Sequence, residues 1–192
     1  MPASGESESS GSGPGAAPRA APPQRRESPP SDGAGMDVTV ADEQSTPVNL
    51  DEVDSLARFV LGIQGLPAGT ELGIHLVDEV TIAAYNKRFR DRDEPTDVLS
   101  LPVDEIPAGR KDAPAPSEPD EPPLLLGDVV VCPAVAWQRA PERTGELRSE
   151  VLLLVTHGIL HLLSYDHEDE PQAAEMEALE DDLLARWSRR QA

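Results

Sequence analysis

Three of the chain's four histidines fall within eleven residues, in the run His157-Gly-Ile-Leu-His161-Leu-Leu-Ser-Tyr-Asp-His167. Imidazoles gathered so closely point to a metal ion. His157 and His161 are four residues apart, so on a helix their rings leave one face about one turn apart, the spacing that two ligands of one ion require. His167 lies beyond the reach of that helix, but the Ser164-Tyr165-Asp166 break lets the chain turn back and deliver a third nitrogen. Three neutral nitrogens leave one corner of a tetrahedral zinc site for water, which is the arrangement of a hydrolytic site rather than a closed structural one. The competing reading is a pair of core histidines and one on the surface. His75, alone in its segment, is expected to be structural.

Gly158 stands where HExxH metalloproteases carry their general base, so peptide hydrolysis by that route has no base here. A glycine there also lets another element, or a bulky substrate, come close to the helix beside the metal. The single cysteine, Cys132, excludes an intramolecular disulfide, a CxxC redox pair and a thiolate-rich zinc site, and its apolar neighbours mark it as an inert core thiol. Any metal must therefore use histidine or carboxylate ligands.

The elements that position these residues follow from hydrophobic period and from caps. Val38 and Val40 share a face of a strand over residues 37–42, and Met36 just before it could also serve as an alternative translation start. Asn49 caps a helix with the apolar stripe Leu50, Val53, Leu56, Val60 and Leu61, which Gly65 and Pro67 end. Residues 71–77 alternate as a strand, with Leu72, Ile74 and Leu76 on one face and His75 on the other. Asp78 caps a helix through Phe89 that leads into the basic cluster of Lys87, Arg88, Arg90 and Arg92. Residues 95–102 form a proline-bracketed strand and 124–132 another, followed by helices over 134–143, 146–163 and 172–189. This order, without a helix between every pair of strands, predicts a small α+β domain with a mixed four-stranded sheet rather than a doubly wound fold.

Composition sets the limits around that domain. The 192 residues carry 36 Asp and Glu against 16 Lys and Arg, for a net charge of −20. Residues 1–35 are rich in Pro, Gly, Ser and Ala without an aromatic, and are expected to be a disordered extension; residues 36–192 are expected to be one domain. The stretch 104–123 holds six prolines and many charges, as a mobile loop would. No apolar run approaches the roughly 20 residues that span a bilayer, and the N-terminus lacks a basic-then-apolar leader, so a soluble cytoplasmic protein without membrane contact is expected. The first 35 residues hold three arginines against four carboxylates, which leaves −19 on the rest. Such charge argues against nucleic-acid binding through the bulk surface, and a nucleic-acid substrate would need a local basic patch.

The run HGILHLLSYDH resembles the H-G-x-L-H-L-x-G-Y-D-H signature of the YbeY endoribonucleases, bacterial enzymes of ribosomal RNA maturation and quality control. Phe89-Arg90 together with Pro95-Thr96-Asp97-Val98-Leu99-Ser100-Leu101-Pro102 is similar to that family's Y-R-x-x-x-x-P-T-D-V-L-S-F-P. Leu126-Gly127-Asp128-Val129-Val130-Val131-Cys132 is similar to its L-G-D-I-V-I-C. The resemblance covers about residues 36–192. It implies a zincin-like domain and one divalent ion, usually taken as zinc, held by His157, His161 and His167 on a helix and the following turn. It implies cleavage of single-stranded RNA in 16S ribosomal RNA 3′-end maturation, with Arg90 and His157 as catalytic residues. Ribosomal RNA, the small ribosomal subunit and its assembly proteins are the implied partners, and DNA is not. A guanidinium at Arg90 suits a phosphate clamp, able to stabilise the added charge of a pentacoordinate phosphorane.

Two positions depart from the signature. Leu101 replaces Phe, which trims a packing side chain. Ser164 replaces Gly at the helix C-terminal turn, where it either pays for a left-handed backbone or keeps right-handed geometry and caps a helix-end carbonyl. Three other residues keep two readings each. Asp128 supports the sheet edge or lines the cleft, or else is held by backbone bonds; Asp166 orients a ligand imidazole or shapes the turn; and Tyr165 packs or takes part in catalysis, packing being the commoner role for such a residue. Two other functions fit the same residues: a ribosome-assembly factor with a mainly structural metal, and a metal-dependent hydrolase of small esters or amides.

Overall fold

The computed structural model describes residues 35–104, 106, 123–167 and 169–191. Nearly all of the proposed extension and most of the 104–123 stretch lie outside the described residues. The elements run β1 (Asp37–Glu43), α1 (Leu50–Ile63), β2 (Glu71–Val77), α2 (Glu79–Arg90), β3 (Val98–Pro102), β4 (Leu125–Val131), α3 (Pro133–Arg143), α4 (Leu147–Leu162) and α5 (Glu170–Gln191). Both expected caps form: Asn49 Oδ1 accepts from the Glu52 amide at 3.3 Å, and Asp78 Oδ1 from the Thr81 amide at 2.8 Å. The third strand starts at Val98 rather than at residue 95. Asp97 just before it is turned inward, where its carboxylate takes Arg139 Nη1 at 2.5 Å and its carbonyl takes the Cys132 amide at 2.8 Å. Cys132 ends up as the N-cap position of α3, fully buried, and burial pushes its thiol up, away from the reactive thiolate.

The four strands make one sheet in the order β1-β2-β4-β3, with β1, β2 and β4 parallel and β3 antiparallel on the β4 edge. Side chains alternate across that sheet, so it has two faces with different cover. Leu72, Ile74, Leu76, Val129 and Val131 belong to the larger core, shared with α1, α4 and α5. Val77, Leu99 and Val130 point the other way, into a smaller cluster with Ile82 of α2 and Val135 of α3.

The central element is α4. It is apolar almost all round, as a helix enclosed by other elements must be, and it packs on α1, α3, α5, β3 and β4. Its close seat on the sheet depends on Gly158. A Cβ there would stand 2.5 Å from Val129 Cγ1, and Ser100 Oγ donates to the Gly158 carbonyl at 3.0 Å. The close approach expected from this glycine is therefore made by the sheet. It also fixes the helix rotation that directs His157 and His161.

Candidate metal centre

The helix carrying the first two histidines ends in a Schellman turn. The Tyr165 amide donates to the Leu160 carbonyl and the Ser164 amide to the His161 carbonyl, both at 3.0 Å, around a left-handed Ser164 with φ of 62°. The reversal brings Tyr165 and His167 back over the last turn of α4. The Tyr165 carbonyl then lies 3.0 Å from His161 Nδ1, and the three imidazole rings sit with centroids 4.5, 5.0 and 5.9 Å apart. One nitrogen from each of His157, His161 and His167 falls within 4.8 Å of the others. His157 and His161 are half-buried, and His167 stands exposed on its turn.

The hydrogen-bond partners decide the tautomers. His161 Nδ1 faces a carbonyl, which only accepts, so it carries the proton and donates. His157 Nδ1 faces Glu180 Oε1 of α5 at 2.7 Å and donates to that carboxylate. In the neutral rings both Nε2 atoms are then bare, and they point at each other across 3.0 Å. Two lone pairs at that distance repel unless an electrophile shares them. Ligand nitrogens of a tetrahedral zinc site lie about 3.3 Å apart for bonds of about 2.0 Å, so the pair is already spaced for one ion. His161 is moreover held below the usual imidazole range, first by burial and then by His157 and His167, either of which would repel it if charged. The neutral form it favours is the ligand form. The donor set therefore fits a divalent cation.

Ser164 takes the first of the two alternatives, with a hydrogen bond that neither included. Its backbone is left-handed, and its hydroxyl donates not to a helix-end carbonyl but to the Ile106 carbonyl across the chain. Ser164→Gly should relieve about 1 kcal/mol of backbone strain while losing a hydrogen bond of about the same worth and gaining unfolded-state entropy. The expected result is a change in unfolding free energy within about 1 kcal/mol, read from denaturant midpoints at saturating zinc. A larger loss would show that the Ile106 bond outweighs the strain.

The other sequence candidates distribute over the molecule. Asp166 shapes the turn, its Oδ1 accepting the His167 amide at 2.7 Å. The Tyr165 ring packs against the core and its hydroxyl donates to Gln64 Oε1 at 3.3 Å, so its backbone carbonyl is what reaches the site. His75 and Asp128 pair at 3.0 Å, side by side on the sheet face turned away from α4, so Asp128 is bonded to a side chain. Arg90 is the last residue of α2, exposed, and α2 packs on that same far face at the β3 border. No hydrogen bond or ion pair joins Arg90 to the histidines. Of its neighbours, Lys87 pairs with Asp91 at 3.0 Å and Arg88 lies over the Phe89 ring at 5.1 Å.

Glu180 was not among the candidates read from the sequence. A signal existed: Met176, Glu180, Leu183 and Trp187 are the buried positions of α5, and an acid in the middle of such a seam calls for a partner. Nothing local in the sequence names His157 as that partner.

Residues 39–188 match the family model described as endoribonuclease YbeY. The endoribonuclease YbeY of Acidothermus cellulolyticus is 45% identical over 152 residues, 79% of this chain and 92% of the relative. That of Mycobacterium ulcerans is 42% identical over 153 residues, 79% of this chain and 83% of the relative. Among solved structures, the solution structure of TM1509 from Thermotoga maritima aligns with a TM-score of 0.50 at 24% identity, covering 80% of this chain and 93% of that one, a likeness of fold. No described helix is long and apolar enough to cross a membrane. The α+β fold with its mixed sheet, the signature histidines gathered in space and the extent of the match lead to one assignment: this chain belongs to the YbeY family of endoribonucleases, hydrolytic enzymes whose substrate is RNA.

Proposed function

We propose that residues 36–192 form a single-strand-specific endoribonuclease domain that works on ribosomal RNA, in 16S 3′-end maturation and ribosome quality control, with one zinc ion held by His157, His161 and His167. The observation that carries the metal half of this reading is the pair of Nε2 atoms facing each other at 3.0 Å, each ring held in place by an acceptor at its Nδ1. A divalent ion bound there supplies Lewis acidity and activates water at neutral pH. The chain's own contribution is to hold three neutral donors, half-buried at the end of α4, and to leave the His167 side open to a large substrate.

Arg90, and with it Arg92, supplies positive charge on an otherwise acidic molecule. Since β3 is an edge strand, an unpaired RNA lying over the histidines can pass round that edge and meet Arg90 with a neighbouring phosphate. A duplex is too stiff to follow such a path, which is the physical basis for preferring single strands. The small ribosomal subunit with its assembly proteins is the proposed setting, and the cytoplasm the proposed compartment.

The test is cleavage of an unstructured RNA and its duplex by protein stripped with chelator and then reloaded with zinc. Cleavage should vanish on stripping, return on reloading and spare the duplex. Product ends then identify the nucleophile, since a 2′,3′-cyclic phosphate means attack by the RNA's own 2′-hydroxyl and a 5′-phosphate means water. Cleavage that persists in fully stripped protein, with nuclease contamination excluded by His161→Ala, would overturn the metal-dependent reading.

A further inference from the structure

We infer that Glu180 is a positioning residue for the metal centre, and that through it α5 is linked to the ion. The inference rests on the metal reading of the three histidines. Glu180 is 8% exposed, and it sits in the inward seam of α5 between Met176 and Leu183, where an apolar side chain would bury at no polar cost. Its carboxylate is aimed across the helix interface at His157 Nδ1, 2.7 Å away, and the pair is itself mostly enclosed.

The bond does three things at once. It fixes His157 as the Nδ1–H tautomer, so that the bare Nε2 faces His161 Nε2 rather than solvent. It sets the ring's rotation, because a half-buried imidazole bonded on one side cannot swing about its Cβ–Cγ axis without losing that bond. It also places a negative charge behind the ring, which raises the basicity of the opposite nitrogen as a ligand. His161 receives only a neutral carbonyl in the same place, so the two ligands are held by unequal partners. The charged partner comes from α5, an element that is remote in sequence and packs on α4 and α1. Whatever tightens His157 onto an ion therefore tightens α5 onto the core, and loosening α5 weakens the ion by the same factor.

Two readouts other than cleavage test this, with Glu180→Ala and the near-isosteric Glu180→Gln, whose amide oxygen accepts the same bond without the charge. The first is the His157 ring in zinc-free protein, observed through its two nitrogen resonances. Wild type should show the proton on Nδ1, Glu180→Gln should keep it there, and Glu180→Ala should lose that preference. The second is the zinc dissociation constant from competition with a chromophoric chelator. Glu180→Ala should bind about 10- to 100-fold more weakly, with Glu180→Gln between it and wild type. Zinc should also slow amide exchange along Met176–Trp187 in wild type. Circular dichroism of the zinc-free proteins checks that each variant folds, and Glu180→Gln carries the test if Glu180→Ala does not. Zinc affinity in folded Glu180→Ala within twofold of wild type, or in Glu180→Gln if that variant alone folds, would overturn the inference, as would an Nε2–H tautomer of His157 in wild type. A wild-type protein that binds no divalent ion in the same titration would instead overturn the metal reading beneath it.

Discussion

His161→Ala should release the divalent ion and lower cleavage of unstructured RNA by at least about 10³-fold, because a metal's charge stabilisation is worth several kcal/mol and each 1.4 kcal/mol is tenfold. His161 is the ligand to choose. Its ring is the middle one of the three, 4.5 Å from His157 and 5.0 Å from His167, so its removal takes away the nitrogen the other two share as a neighbour. It is also less costly to the fold than His157, whose removal would leave the Glu180 carboxylate without its partner. His161 Nδ1 bonds only a backbone carbonyl, so truncation leaves no carboxylate without its partner and opens a small space at a half-buried position. Elemental analysis after dialysis should find little metal in the variant, and circular dichroism should find the fold intact. The double variant His157→Ala/His161→Ala makes the stricter case, since stoichiometric metal retained there would place the ion elsewhere.

The same site shows how much of the molecule is legible in the chain and where that legibility stops. Periodicity and caps locate nearly every element, because a helix such as α1 carries its start at Asn49 and its apolar stripe in consecutive turns. The i, i+4 histidines are equally local, and so is the place of the turn after them, although Ser164 in place of Gly leaves its handedness to the structure. What sequence position does not reveal is which distant side chain completes a local feature. The strand order β1-β2-β4-β3 pairs residues some fifty positions apart, as His75 and Asp128 are, and no single-segment pattern encodes that choice. For the same reason Glu180 could be suspected as a buried acid but not assigned to His157, and Gly158 could be read as a point of close approach without naming Val129 as what approaches. Arg90 illustrates the converse. Its motif places it with the histidines by resemblance, and the structure shows it exposed at the end of α2 with no hydrogen bond or ion pair to them.

That placement gives Arg90→Ala a distinctive expected outcome. Removal of one positioned charge donor from a transition-state phosphate costs on the order of 10² to 10³ in kcat, and this loss should appear with the ion fully retained and the fold unchanged. The stability expectation follows from exposure: Arg90 ends α2 without an ion pair to any described residue, so the variant forfeits no more than a favourable charge at the helix C-terminus, about 0.3 to 1 kcal/mol. Two comparisons separate this role from general attraction of RNA to a basic patch. If Arg90 serves only as diffuse charge, the deficit should sit in KM, should shrink as salt rises, and should be matched by Arg92→Ala. If it clamps the reacting phosphate, the deficit should sit in kcat, persist in salt and greatly exceed that of Arg92→Ala. Arg90→Lys should then recover only part of the loss, because an ammonium restores charge but not the two-pronged guanidinium contact with phosphate oxygens. Wild-type kcat in Arg90→Ala would remove this arginine from the catalytic set.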